Sequence, residues 1–149
     1  MDFVGNHILS VDQFERSDID RIFKVADSML PYANRERVTR VLEGAILGNM
    51  FFEPSTRTKT TFELASKKIS SDFINIDISN SSTAKGESIL DMIKTIEAMN
   101  CHMFVVRHSI PGTAHFIAES VSSDISVINA GDGSNEHPTQ AMLDMFTIK

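Results

Sequence analysis

Ala45-Ile46-Leu47-Gly48-Asn49-Met50-Phe51-Phe52-Glu53-Pro54-Ser55-Thr56-Arg57-Thr58 is the stretch that decides the fold. Its apolar first part, Ala45 to Phe52, has the length and composition of a buried strand. Glu53-Pro54 ends the run, and a helical spacing takes over from Thr58 to Ile69, with Phe62, Ala65 and Ile69 on one face. The first N–H groups of a helix have no intrahelical acceptor and lie at the positive end of its dipole. Ser55, Thr56, Arg57 and Thr58 at that point make a cradle for a doubly charged oxyanion such as phosphate. A single hydroxyl suffices to cap a helix. Three of them, interrupted by Arg57, favour the cradle.

Outward from this unit the same alternation continues. Phe73 to Ile78 is a short β-rich run, and Glu87 to Asn100 has Ile89, Met92, Ile93, Ile96 and Met99 at helical spacing. Met103 to Val106 predicts a third strand, Thr113 to Val121 a helix, and Ser126 to Asn129 a fourth strand. Pro138 to Ile148 predicts a last helix with proline in its first turn. Upstream, Ser10-x-x-Gln13 forms a capping box, and Ser17-x-x-Asp20 resembles a second cap. Ile22, Phe23, Ala26, Met29 and Leu30 then mark an amphipathic helix up to Pro31, and residues 33 to 43 predict a short helix or turn. The expected fold is α/β, a three-layer αβα sandwich with a central four-stranded parallel sheet and the N-terminal helices packed on it. One domain over residues 1 to 149 accommodates all of it.

Composition narrows the function. Lys and Arg number 14 against 20 Asp and Glu, a net charge of −6, so nucleic acid is not an expected partner and an anion must be held by local positive charge. The single cysteine allows no intrachain disulfide and suits a reducing cytoplasm. Met1 to Asn6 has neither the basic start nor the apolar run of a signal peptide, and no segment approaches a membrane span.

In parallel α/β sheets ligands bind beyond the carboxyl ends of the strands. Four loops therefore matter, the first being the cradle. The second, Ser79 to Glu87, is small and polar with Lys85 near its end; taken alone it is a surface loop with a solvated lysine. It lacks P-loop spacing, and no dinucleotide fingerprint occurs anywhere in the chain. The third site is Arg107, directly after Met103 to Val106, whose plain alternative is pairing with a structural carboxylate; His108 beside it is expected to be exposed or structural.

The fourth loop runs from Asn129 to Gln140. Gly131 and Gly133 permit tight turns, and His137 precedes the helix that opens at Pro138. An imidazole at a helix N-terminus is biased towards neutrality and suits a carbonyl oxygen, while Gln140 in the first turn suits an amide. A capping histidine and a solvated glutamine are the bland alternatives for each. The sequence has no nucleophile elbow and no Cys/His pair at a plausible spacing, and His102, His108 and His115 form no recognised metal set. The chemistry left is positioning and electrostatics: holding a phosphate and polarising a carbonyl for external attack.

The four blocks Phe-x-Glu-Pro-Ser-Thr-Arg-Thr, Ser-Ser-x-x-Lys-Gly-Glu, Val-Val-Arg-His and Ile-Asn-Ala-Gly-Asp-Gly-x-x-x-His-Pro-Thr-Gln resemble the carbamoyltransferases. The resemblance is strong from Leu42 to Lys149 and weak in the N-terminal helices. Asn129 to Gly133, Thr139 and Phe146-Thr147-Ile148 are similar to the aspartate branch. The resemblance implies that Ser55, Thr56, Arg57 and Thr58 hold the phosphate of carbamoyl phosphate. It further implies that Thr58, Arg107 and His137 address the carbamoyl oxygen and Gln140 the amide, with Arg57, Thr58, Arg107 and His137 catalytic. Ser81 and Lys85 resemble a loop that reaches a neighbouring subunit's site in a homotrimer. The implied reaction is attack of the L-aspartate amine on carbamoyl phosphate, giving N-carbamoyl-L-aspartate and phosphate in pyrimidine synthesis, with no metal or organic cofactor. Lys59 and Thr60-Thr61 depart from the Arg and Leu-Ser of many members. The family's catalytic chain is about twice this long, and its second domain carries the arginines for aspartate. Residues 1 to 149 are thus expected to be the carbamoyl phosphate-binding domain, inactive alone. An ornithine carbamoyltransferase-like enzyme and a non-catalytic assembly module of the same fold stay open as alternatives, as do regulatory subunits on the full enzyme.

Overall fold

The computed structural model describes residues 1–77 and 88–149. Strands β1 (Ile46–Phe51), β2 (Asp72–Asp77), β3 (Met103–His108) and β4 (Ser126–Asp132) form one parallel sheet in the order β2-β1-β3-β4. Helices α1 (Arg16–Ala33), α2 (Thr56–Lys68), α3 (Ile89–Ala98), α4 (Thr113–Ser120) and α5 (Pro138–Ile148) surround it. The expected three-layer αβα architecture is present.

Side chains alternate across the sheet because successive residues of a strand point to opposite faces. Met50, Phe104, Val106 and Val127 form one core with Met92, Ile93, Ile96 and Ile117 of α3 and α4. Leu47, Phe51, Val105 and Ala130 form the other, with Phe62 of α2 packed against them. Cys101 is buried at the end of the first core, and burial pushes its thiol pKa up. α1 leans on α2, and its Phe23 ring meets Phe146 of α5 edge-on at 5.4 Å.

The N-terminal segment closes one side of the sheet. Ile8 N–H donates to the Val127 carbonyl at 2.8 Å, and Asn129 N–H donates back to the Ile8 carbonyl at 2.8 Å. The outer edge of β4 is therefore covered. Among the described residues no strand pairs with the outer edge of β2, where Asp72, Ile74 and Asn75 are exposed.

Several boundaries differ from the sequence expectation. The Ser10–Gln13 capping box is real but caps a single 3-10 turn, Val11–Gln13. The Ser17 cap is not formed: α1 starts at Arg16 behind Glu15, whose box partner is Asp18. Asp18 is buried there by the Met1 ammonium at 2.6 Å, a pairing with no local sequence signal. α1 continues through Pro31 to Ala33, and the proline, in the last turn, leaves out one bond to the Asp27 carbonyl without ending the helix. α2 opens at Thr56 and not at Thr58, so Arg57 and Thr58 belong to its first turn. α3 starts at Ile89, behind Ser88 and its box partner Asp91. β3 and β4 run on past their apolar residues to His108 and Asp132.

Candidate functional site

The cradle is built where β1 hands over to α2. Ser55 occupies the N-cap position, yet its side chain makes no capping hydrogen bond. The plain capping alternative therefore does not apply to it. The side chains of Ser55, Thr56, Arg57 and Thr58 have no hydrogen-bond partner among the described residues. By contrast, the Thr61 hydroxyl one turn later is spent on the Arg57 carbonyl at 2.9 Å. Among the described residues the donors at the helix start are uncommitted, at the end where the backbone dipole is positive.

Arg107 owes its direction to an irregularity in the sheet. Val106 pairs with Asn129 and His108 with Asp132, so Ala130 and Gly131 together face Arg107 alone. Such a bulge re-aims a side chain. Gly131 adopts φ 119°, which L side chains rarely take up, and a Cβ there would clash with Arg107 Nη1 and push the guanidinium aside. Nη1 donates to the Ala130 carbonyl at 2.9 Å. Nε lies 2.7 Å from Glu53 Oε1, an ion pair in which the N–H is not aligned with the oxygen. The structural carboxylate that was the plain alternative for Arg107 thus exists, and it comes from the cradle loop itself.

His137 is the N-cap of α5. Its Nδ1 accepts from Gln140 N–H at 3.4 Å and lies 3.2 Å from Thr139 Oγ1. An Nδ1 that accepts leaves the proton on Nε2. That Nε2 is buried and has no partner among the described residues. Burial first, and then the Arg107 charge, hold the imidazole pKa below its ordinary 6.5, while Asp144 opposes this. The product is a neutral ring presenting one unspent N–H. Gln140 donates its side-chain amide to Asp144 Oδ1 at 2.9 Å, which leaves its Oε1 as an acceptor for an amide N–H.

Arg57, Thr58, His137 and Gln140 line one cleft of about 590 Å³, with Thr61, Phe62 and Leu143. Ser55 and Thr56 line an adjoining hollow of about 330 Å³ with Glu53 and Lys59. Arg107 lines neither hollow; it pairs with Glu53 of the second, and a Cβ built on Gly131 would lie 3.1 Å from its Cζ and 3.6 Å from His137 Cδ2. Ser81 and Lys85 lie outside the described residues. His108 is structural, as expected: its Nδ1 accepts from Ile110 N–H and its ring packs on Phe52.

Three contributors carry little or no signal in the sequence. Glu53 pairs with a residue on another strand. Asp132 is buried and accepts from Gly112 and Glu136 N–H groups at 2.9 Å and from the Asn129 and Asn135 amides. Those bonds hold its carboxyl below the ordinary carboxylate range although burial pushes the other way. Its place between Gly131 and Gly133 is the one cue that could have marked it. Glu136 is the third, bonded to Ser10 and Val11. Among the described residues no group of three His, Cys, Asp or Glu side chains is placed to hold a metal, and no helix is long and apolar enough to cross a membrane.

Fold and site define a parallel α/β domain whose strand ends carry a helix start with uncapped hydroxyl and guanidinium side chains and, across a cleft, a buried imidazole. Residues 6–149 match the aspartate/ornithine carbamoyltransferase, carbamoyl-P binding domain, and the chain belongs to that family. It is 51% identical over 150 residues to an aspartate carbamoyltransferase catalytic subunit of Saccharophagus degradans, covering 100% of this chain and 44% of that protein. The crystal structure of Trypanosoma cruzi aspartate transcarbamoylase with carbamoyl phosphate and aspartate superposes with a TM-score of 0.91 at 33% identity, over 97% of this chain and 44% of that one. The ligand-free form of the same enzyme gives 0.87 at 31% identity, over 97% and 45%. The chain spans less than half the length of these relatives.

Proposed function

We propose that this chain is the carbamoyl phosphate-binding domain of an aspartate carbamoyltransferase. The observation that carries the reading is the set of unspent donors at the start of α2 beside the buried, unpartnered Nε2 of His137. Ser55, Thr56, Arg57, Thr58 and the first N–H groups of α2 hold the phosphate. Nε2–H of His137, the Thr58 hydroxyl and the Arg107 guanidinium surround the carbamoyl oxygen. Gln140 Oε1 accepts from the carbamoyl NH₂ group.

The reaction follows from where charge develops. The neutral L-aspartate amine attacks the carbamoyl carbon, and the C=O electrons move onto oxygen. Donors fixed around that oxygen stabilise the tetrahedral state, which is where electrostatic catalysis has most effect. The C–O bond to phosphate then breaks, the carbonyl reforms, and the phosphate takes the amine proton as it leaves. Arg107 engages fully only as the ligand competes with Glu53 for it. A neutral His137 suits this role, because a hydrogen-bond donor is wanted and a transferable proton is not.

Ser81 and Lys85 are assigned to a neighbouring subunit's site in a cytoplasmic homotrimer, on the resemblance alone. Aspartate as the amine acceptor is supported by the 51% identical relative. The aspartate-binding side is assigned to a second domain, so the 149-residue chain should bind ligand and show little turnover. Calorimetric titration with carbamoyl phosphate tests the reading. Binding by the wild type that weakens about tenfold in Arg57→Ala is the expected result, and equal binding by both proteins would remove the cradle assignment.

A further inference from the structure

Glu136 immediately precedes His137, and the proposed reaction gives it no part. Its carboxylate bridges to the far end of the chain: Oε1 accepts from Ser10 Oγ at 2.7 Å and Oε2 from Val11 N–H at 2.6 Å. Its main chain is held as well, with N–H donating to Asp132 Oδ1 at 2.9 Å and the carbonyl accepting from Asp132 N–H at 3.1 Å. Among the described residues no lysine or arginine pairs with it. The carboxylate is spent on two neutral donors of one turn.

That turn is rigid. Leu9 and Ser10 N–H groups both donate to Gln13 Oε1, at 2.6 and 2.9 Å, and Gln13 Nε2 donates to the His7 carbonyl at 3.1 Å. It is anchored on β4 through Ile8. The imidazole, in contrast, is loosely held by its own bonds: its Nδ1 contacts are 3.2 and 3.4 Å, at the long end for a hydrogen bond. Ring orientation must therefore come from the backbone on either side, which is Glu136 before it and the buried Pro138 after it.

We propose that Glu136 is a positioning residue: by fastening the Ser10–Gln13 turn to the loop, it fixes how the His137 imidazole stands in the cleft. The inference rests on the reading of His137 given above, and the test separates the two. Wild type, Glu136→Ala and Ser10→Ala are each titrated with inorganic phosphate, which probes the cradle, and with phosphonoacetamide, which adds a carbonyl. Imidazole ¹⁵N NMR follows the tautomer and pKa of His137 in all three.

Loss of one or two charge-assisted bonds is expected to weaken phosphonoacetamide about tenfold in Glu136→Ala and about threefold in Ser10→Ala, with phosphate binding changed by less than about twofold. The His137 pKa should rise towards 6.5 and its tautomers mix. Ser10→Ala leaves the main-chain bonds to Asp132 intact and gives the answer if Glu136→Ala does not fold. An equal loss for both probes, or an unchanged His137 in Ser10→Ala, overturns the proposal. A shifted His137 in a protein whose wild type binds both probes equally supports the positioning role and removes the carbonyl role of His137 instead.

Discussion

The loop after β1 and the loop after β4 face the same cleft and are built on opposite principles. In the first, the donors of Ser55, Thr56, Arg57 and Thr58 have no partner among the described residues. In the second, together with the end of β4 that leads into it, nearly every polar group is spent internally: Asn129 bonds Leu9, Asp132 and Gly131; Asp132 bonds four partners; Glu136 bonds three residues. A phosphate brings acceptors of its own and adapts to a flexible set of donors. A carbonyl offers one oxygen in one direction, so its donor must be held in place beforehand.

The contrast predicts different failures on the two sides. Asp132→Ala strips a buried four-bond hub and should cost about 3 kcal/mol or more in urea unfolding, whereas Ser55→Ala should stay within about 0.5 kcal/mol. Comparable losses in both would erase the distinction. Gly131→Ala comes next: forcing a Cβ into the left-handed backbone against Arg107 should cost about 1 to 3 kcal/mol and displace the guanidinium. A crystal structure with Arg107 unmoved would contradict this. Arg57→Ala should loosen inorganic phosphate about tenfold, near 1.4 kcal/mol, with no change in melting temperature.

The smallest effect is on pH dependence. His137, His7 and His108 all have pKa values lowered chiefly by burial. Between 6.5 and the lower folded values the unfolded chain binds protons that the folded chain refuses, so stability should fall as pH drops below about 6.5. The Asp132 contribution has the opposite origin and the same direction. It is present above the ordinary carboxylate value of 3.8 and is lost only as pH falls further, through the lower folded value. Melting curves from pH 8 to 5 in wild type and His137→Gln would show how much of the first effect belongs to His137.

The layered sheet was legible because its apolar runs and helical spacings are local properties. The cradle was legible because an apolar run stopped at a proline and was followed by unusually many donors. The boundaries were less so. Arg107, His108 and Asp132 are polar residues paired in strands, and pairing depends on backbone partners that polarity does not reveal. The bulge opposite Arg107 arises from two strands in register, and the Glu53–Arg107 and Glu136–Ser10 contacts join segments distant in the chain. The side chains proposed to bear the function were picked out from the sequence, and Glu53, Asp132 and Glu136, which pair with distant segments or with the loop itself, were not.

The unequal treatment of the two sheet edges has its own consequence. β4 carries the Ile8 bridge on its outer side, while among the described residues no strand pairs with the outer side of β2, beside an exposed Ile74. Open strand edges template the addition of further chains, and natural proteins discourage this with charge. Asp72 stands exposed at the start of that edge and the chain carries a net −6, so charge repulsion between copies opposes pairing there. High salt or mild acid should therefore recruit copies through β2, and self-association should grow from a single direction.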